Sequence, residues 1–431
     1  MKKSNIVPRV LTVAMAAIIV LAVSGCAKKN SQKEFTPRLD TGNKVVLDVM
    51  GFFNNFEAFD QVTNDFNVYY PNVTFNYEQV GADNLTEYLD SNPGVDIFMT
   101  SDVVVMTPGN SLAQKCVDLS QENIDFSAID KSMIKADCYE NRLVAIPMSQ
   151  NLYGVVVNVS LLEKEGLSVP QTYSEFLDAL KVLKDKGYVP IQGPSGKVYA
   201  ELTIGMLYNI IGNDDELYNK LLAGDSSAEE KIAPVFDIID TITENGYTDA
   251  EVNDAYPNDN YDGAIMKFFE GEVPFWVCNT EKVSGMKKRE TKSEAYKEAP
   301  FEYTYIFVPM GENGAYVYRE PWYGFSVSEN SDVREYAVEF MRFLATKDEI
   351  NKIADVKGVP SVAVEHTDID IYKNMIEPSK VEAEFVKNDG IRPELNSVWY
   401  SVTYRYASGQ YPDKKAAVDD FISQCAALGN N

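Results

Sequence analysis

The chain has 431 residues, 45% of them hydrophobic and 24% charged, and a formal net charge of −26. This composition excludes a largely disordered chain, and the acidic balance excludes a broad basic surface for nucleic acid or other phosphate-rich partners. The residues beyond position 43 are too many for one hydrophobic core, so two lobes are expected.

Lys2, Lys3 and Arg9 open the chain, and an apolar run over 10–23 follows, broken only by Thr12. The run is shorter than the ~20 residues a membrane-crossing helix needs, so a cleavable secretory signal over 1–25 fits better than a retained helix. It ends in Val23-Ser24-Gly25-Cys26, which resembles the bacterial lipobox. That resemblance implies that the Cys26 thiol receives a diacylglycerol and becomes the new N-terminus. Two or more acyl chains anchor a protein stably where one would not. Removing 1–25 takes away three basic groups, which moves the net charge from −26 to −29. Residues 27–43 are polar and read as a flexible tether between the anchor and the folded body.

The body opens with a β-branched strand over 45–50. A helix follows, with Phe56, Phe59, Val62, Phe66 and Tyr70 on one stripe and Pro71 ending it. A strand over 73–77, a short helix over 85–90 and a buried strand over 95–99 complete a βαβαβ unit, which implies a parallel sheet with helices on both faces. A second unit starts with a strand over 152–158. Thr172 and Glu175 form a capping box for the next helix, whose buried stripe is Phe176, Leu180 and Leu183 and whose stop is Gly187. Further helices are predicted over 199–211 and 232–245. Asp332 and Glu335 cap another, with Val333, Ala337, Phe340, Met341 and Leu344 facing inward, and a last helix covers 414–427. Four cysteines remain after Cys26: Cys116, Cys138, Cys278 and Cys425. None forms a Cys-x-x-Cys pair, and spacing does not establish a Cys116–Cys138 bridge, although an exported compartment permits one.

Several segments resemble family 1 extracellular solute-binding proteins, the group that includes maltose-binding protein. Asn141 to Pro147 is similar to the family's short hairpin ending in proline, and Tyr153 to Asn158 to its strand ending in Asn. Leu161-Leu162-Glu163-Lys164-Glu165-Gly166-Leu167 and Pro170-Gln171-Thr172-Tyr173-Ser174-Glu175-Phe176 resemble its most recognisable stretch. The run from Phe268 to Phe275, Val308-Pro309-Met310, Gly324 to Val327 and Gly358-Val359-Pro360 follow in the family's order. Arg142, Trp276 and Cys278 depart from the general pattern, so ligand contacts do not transfer residue by residue. The resemblance implies an α/β, two-lobed periplasmic-binding-protein-like fold of type II, with the ligand in a cleft between lobes. One lobe would hold 44–148 and 322–357, the other 153–310 and 360–431, with hinges near 149–152, 318–323 and 357–360. It also implies a monomer on the outer face of the cytoplasmic membrane, capturing a solute for the permease subunits of an ABC importer.

Ligands of open α/β sheets lie beyond the carboxyl ends of strands, so the loops there supply the candidates. These are Gly51, Phe52, Asn54 and Asn55 after the first strand, and Ser101 and Asp102 after the third. Ser149, Gln150 and Tyr153 lie at the first crossover, Trp276, Asn279 and Thr280 on the second lobe, and Trp322 and Tyr323 at the second crossover. A sugar offers an apolar face to an aromatic ring and a rim of hydroxyls to groups that donate and accept, and this residue set suits a mono- or oligosaccharide. Trp322, Tyr323, Asp102 and Gln150 lead the set. Trp276, between Phe275 and Val277, suits packing as well as ligand contact. Asn54 and Asn55 suit helix capping, and Asp102 suits a solvated loop. Trp399, near Tyr400, Tyr404 and Tyr406, suits an aromatic cluster at the surface or in the core.

No cofactor or metal is expected. The lone His366 does not supply a His-Glu-x-x-His zinc site or a nucleophile's partner, and Pro194-Ser195-Gly196-Lys197 lacks the rest of a phosphate-binding loop. A glycan-acting enzyme would need two carboxylates across a cleft. With 65 acidic residues some such pair always looks available, so a pair carries no weight. A receptor for a polyamine or peptide is the remaining alternative, and acids lining the cleft without facing aromatic rings would favour it.

Overall fold

The computed structural model describes residues 35–81, 84–100, 111–139, 141–254, 261–311, 314–364, 383–387, 391–392 and 394–429. Cys26, Ser101, Asp102 and His366 lie outside the described residues, as does the signal segment. Residues Arg38–Asn431 form one compact body. Order begins before position 44, because the backbone N–H of Arg38 donates to the Tyr70 hydroxyl at 2.7 Å and to Glu339 Oε1 at 3.1 Å.

Strand β1 (Val45–Gly51) is followed by the helix Glu57–Tyr69, whose Ala58, Phe59, Val62 and Phe66 are buried. It stops short of Pro71, which disfavours helix at the residue before it. Strand β2 (Val73–Gln79), the helix Leu85–Ser91 and strand β3 (Ile97–Thr100) complete the expected unit, with β2 and β3 both parallel to β1. A small hairpin of β4 (Cys138–Tyr139) and β5 (Arg142–Leu143) turns through Asn141, which adopts a positive φ of 65°.

The central element is β6 (Ile146–Asn158), 13 residues long and nearly all buried. The remaining strands are β7 (Ile191–Gln192), β8 (Phe275–Asn279), β9 (Tyr303–Ile306), β10 (Ala315–Val317), β11 (Arg319–Val327) and β12 (Ala383–Phe385). The main sheet runs β2-β1-β3-β11-β6-β8-β7, with β9 also paired to β6. The first half of β6 pairs antiparallel with β11, from Ile146↔Phe325 to Leu152↔Arg319. Its second half pairs with β8 and β9 from Tyr153 onward. One strand therefore belongs to two half-sheets.

Alternation explains how the second half-sheet is buried on both faces. Val155, Val157, Phe275, Val277 and Ile306 point into one core with Phe176, Leu180 and Leu183. Leu152, Val156, Trp276, Cys278 and Tyr305 point into another with Phe268 and Phe269. A third core is helical and centres on Trp399, which is fully buried between Phe236 and Phe421 and donates Nε1 to Thr203 Oγ1 at 3.2 Å. There the helix Val198–Gly212 approaches β10 so closely that a Cβ on Gly205 would lie 1.9 Å from the Tyr316 carbonyl oxygen.

The capping box of the helix Tyr173–Asp185 forms: Glu175 N–H donates to Thr172 Oγ1 at 3.2 Å, and Glu175 Oε2 accepts from the Gln171 N–H at 2.7 Å. The box expected from Asp332 and Glu335 does not. The helix Arg334–Leu344 starts after Val333, and the Val333 N–H is taken by Ser331 Oγ instead. The other helices expected over 199–211, 232–245 and 414–427 appear as Val198–Gly212, Glu229–Glu244 and Lys414–Gly429. Cys116, Cys138, Cys278 and Cys425 are all free thiols, and burial pushes the Cys116 thiol up to about 12. No described helix is long and apolar enough to cross a membrane.

Candidate functional site

The site is built where β6, β11 and the end of the helix Lys347–Lys357 meet. Gln150 ties the three together. It pairs with Pro321 of β11, its N–H donates to the Pro360 carbonyl at 3.3 Å, and its Nε2 donates to the Ser361 carbonyl at 2.6 Å. The pairing of β11 with β6 slips on either side of Tyr323, and Trp322 is the residue left without a partner. A β-bulge of this kind re-aims side chains. Here it turns Trp322 and Tyr323 toward Phe53, in the loop after β1.

Phe53, Trp322 and Tyr323 form a box of edge-on rings. Centroid separations are 5.5 Å (Phe53–Trp322), 5.2 Å (Phe53–Tyr323) and 5.1 Å (Trp322–Tyr323). Trp322 keeps a half-buried face, while Tyr323 is 1% exposed. The Lys357 ammonium sits over this box, 3.6 Å from the Phe53 centroid and 5.5 Å from those of Phe56 and Trp322. Burial drives its pKa down to about 8, against the pull of the Glu281 carboxylate. Beneath the box the Ser149 hydroxyl lies beside that of Tyr323, yet neither makes a hydrogen bond of good geometry, and Gln150 Oε1 is likewise buried without one. Ser149 and Tyr323 face each other, and Gln150 Oε1 stays buried without a partner, which makes this strand crossing the candidate place for a ligand.

Further along the same strands lies a second polar group. Glu320 is buried and accepts from Tyr153 Oη at 2.5 Å, Tyr318 Oη at 2.8 Å and Asn396 Nδ2 at 3.0 Å. Burial raises its pKa, and these hydrogen bonds oppose the rise. Nearby are Glu201 on the helix Val198–Gly212 and Tyr400 on the helix Glu394–Ala407, with Tyr400 Oη 3.4 Å from Glu201 Oε1. The Glu281 carboxylate acts electrostatically on both Lys357 and Glu201, which places it between the two groups.

Of the sequence-derived candidates, the structure thus brings together Trp322, Tyr323, Ser149, Gln150 and Tyr153. It sets others apart. Trp276 is 1% exposed and stacked on Phe268 at 5.9 Å, a packing position inside the second half-sheet's core. Asn279 is the exception: it pairs with Tyr153 across β6 and β8, and its Oδ1 caps the helix Thr280–Val283 by accepting from the Lys282 N–H at 3.4 Å. Asn54 is exposed and caps nothing: the helix Glu57–Tyr69 has Phe56 at its N-cap and no side-chain cap, while Asn55 takes a positive φ of 52°. The sequence reading passed over Phe53, Lys357, Glu201, Glu320 and Tyr400. A signal for Glu201 existed, since it is the one charged residue in the otherwise apolar run from Val198 to Gly212. A separate surface concavity of about 440 Å³ lies between Arg38, Glu122, Arg334 and Arg342. Its arginines Arg334 and Arg342 are already paired, with Glu122 and Glu339, so it shows no unmet need for a ligand.

An α/β body whose two half-sheets share one strand, with aromatic rings at the crossing, agrees with the two-lobed solute-binding fold expected from the sequence. The family model for bacterial extracellular solute-binding proteins matches residues 53–350, and the chain belongs to that family. Among solved structures, the RafE solute-binding protein in complex with raffinose is similar over 90% of this chain and 100% of its own, with 17% identity and a TM-score of 0.66. A sugar transporter protein from Bacillus licheniformis in complex with stachyose covers 89% and 100%, with 17% identity and a TM-score of 0.60. A periplasmic solute-binding protein from Pectobacterium atrosepticum covers 90% and 99%, with 15% identity and a TM-score of 0.69. No curated protein matches the sequence.

Proposed function

We propose that this chain is a lipid-anchored solute-binding protein that captures a mono- or oligosaccharide by lobe closure and delivers it to an ABC importer. The observation that carries this reading is the ring box of Phe53, Trp322 and Tyr323 at the strand crossing, above the facing hydroxyls of Ser149 and Tyr323 and the unpartnered Gln150 Oε1. Rings to stack on and unsatisfied groups to bind hydroxyls are the two things a sugar asks for. The similar RafE and Bacillus licheniformis proteins, bound to raffinose and stachyose, support the same ligand class. In this reading the lobes are 44–148 with 322–357, and 153–310 with 360–431, and the segments that Gln150 ties together are the hinges. Cys26 carries the lipid, the protein acts as a monomer, and it binds its ligand without chemical change.

A second reading has one observation in its favour. The ring box already holds an ammonium, that of Lys357, and Glu201, Glu281 and Glu320 lie close by, a setting that also suits an organic cation such as a polyamine. The facing aromatic rings weigh for the sugar.

The test is thermal unfolding of the chain from residue 27 against sugars, oligosaccharides, amino acids and polyamines. A ligand present at ~100 times its dissociation constant adds about 2.7 kcal/mol. We expect a shift from one sugar class, with the sugar recovered intact. A shift from polyamines alone removes the carbohydrate assignment, and consumption of a glycan removes the receptor reading altogether.

A further inference from the structure

Glu201 is a buried acid whose hydrogen-bonding capacity the protein leaves almost unmet. It is 6% exposed, its Oε2 has no hydrogen-bond partner, and its Oε1 has only a long contact, 3.4 Å, with the Tyr400 hydroxyl. An unpartnered buried carboxylate destabilises a fold, so a position that carries one without structural return calls for another explanation.

Its surroundings supply one. Tyr153 and Tyr400 stand next to it, both half-buried. Lys197, also half-buried, holds its Nζ 6.0 Å from the Tyr400 ring centroid. The neighbouring acid Glu320 is saturated by Tyr153, Tyr318 and Asn396, so it fixes Tyr153 in place and has little left to offer a ligand. Glu201 is the acid left open. Tyr153 lies on β6, three residues from Gln150 and four from Ser149, so this group continues the ring box along one strand.

We propose that Glu201 is the hydroxyl-gripping residue of a second sugar subsite, its carboxylate accepting two neighbouring hydroxyls of a pyranose unit that lies against Tyr400 and Tyr153. This rests on the sugar reading above and deepens it: the ligand is at least two units long, one stacked at Trp322 and another held at Glu201. The two oxygens of a carboxylate match the spacing of a vicinal diol, and hydrogen bonds to an ionised acceptor are the strong kind. Burial raises the Glu201 pKa, while Lys197 and Lys282 favour the ionised form. A ligand that donates two hydroxyl protons favours it further.

The experiment compares the full chain, in a sugar-free detergent, with its Glu201→Gln variant. Thermal unfolding and calorimetric titration are run with glucose, galactose, maltose, maltotriose, raffinose and stachyose. Glu201→Gln keeps the shape and removes the charge. We expect its ligand-free melting temperature to equal or exceed that of the wild type, and its dissociation constant for the binding oligosaccharide to rise about tenfold to a hundredfold. Equal affinity in wild type and Glu201→Gln overturns the subsite and leaves the sugar reading intact. A lower ligand-free melting temperature in Glu201→Gln assigns Glu201 a structural role and also overturns it. No response of the wild type to any of the six sugars overturns the sugar reading, and the subsite with it.

Discussion

Two tryptophans of similar sequence appearance separate at the scale of single residues. Trp276 is enclosed, and its ring stacks on Phe268, whereas Trp322 keeps an open face beside Phe53. Truncating a buried tryptophan costs about 3–5 kcal/mol, so Trp276→Ala is expected to lower the melting temperature sharply, while any ligand response of the surviving fold persists. Trp322→Ala should do the reverse, weakening sugar binding at least about tenfold at nearly unchanged ligand-free stability. Melting curves with and without ligand separate the two, and equal loss of stability in both variants would remove Trp322 from the site. Lys357 adds a pH signature. Its folded pKa, pushed down to about 8 from 10.5, means that burial penalises the charged form. The folded state then binds fewer protons than the unfolded state between those values, so this group costs stability below pH 8, and the cost is relieved as pH rises toward 10.5. Lys357→Met keeps contact with the Phe53 ring and should be more stable than wild type by about 1 kcal/mol at pH 7, with the gain fading by pH 10. A gain that is the same at both pH values would mean that charge burial is not its cause.

Elements were legible wherever local chemistry decided them. The unit β1 to β3 follows from β-branched runs separated by an amphipathic stripe, and Thr172 with Glu175 marks a helix start that forms as read. Asp332 and Glu335 show the limit: Ser331, one residue further upstream, accepts the Val333 N–H, and no side chain caps the helix. The first half of β6 was obscured by its composition. Ser149, Gln150 and Asn151 look like a linker, yet all three are buried in a paired strand. Their polarity serves the strand crossing and the site, not solvent, and single-sequence patterning does not distinguish these uses. The site followed the same rule. Trp322 and Tyr323 are legible as candidates because rings next to a crossover are conspicuous. Phe53 was passed over between Phe52 and Asn54, and Lys357 read as an ordinary basic residue ending a helix, because only the fold brings them within 3.6 Å. Glu320 and Tyr400 belong to a network whose hydrogen-bonded partners lie up to 199 residues apart in sequence, a separation that carries no local signal.

At the scale of the whole molecule, the arrangement of the strands bears on motion. Among the described residues, only β6 runs through both half-sheets. Alongside its middle lie β11, with a slip at Tyr323, and the turn after Gly358, which takes a left-handed φ of 68°. Hinges are a few element-terminal or irregular residues that absorb a change in φ and ψ, and a bulge and a glycine turn flanking one continuous strand meet that description. A ligand shifts such an equilibrium only by as much as it prefers one state, and a sugar touching both Trp322 and Glu201 prefers the state that brings their elements together. Small-angle scattering of the chain from residue 27 should therefore show a smaller radius of gyration with saturating oligosaccharide than without. Trp322→Ala, at a sugar concentration that leaves it unoccupied, should show none of this contraction. Contraction with no dependence on Trp322 would move the closing contact elsewhere. Tight binding without contraction would mean that the ligand enters a cleft already set, and that the slip in β11 serves only to aim Trp322 at the sugar.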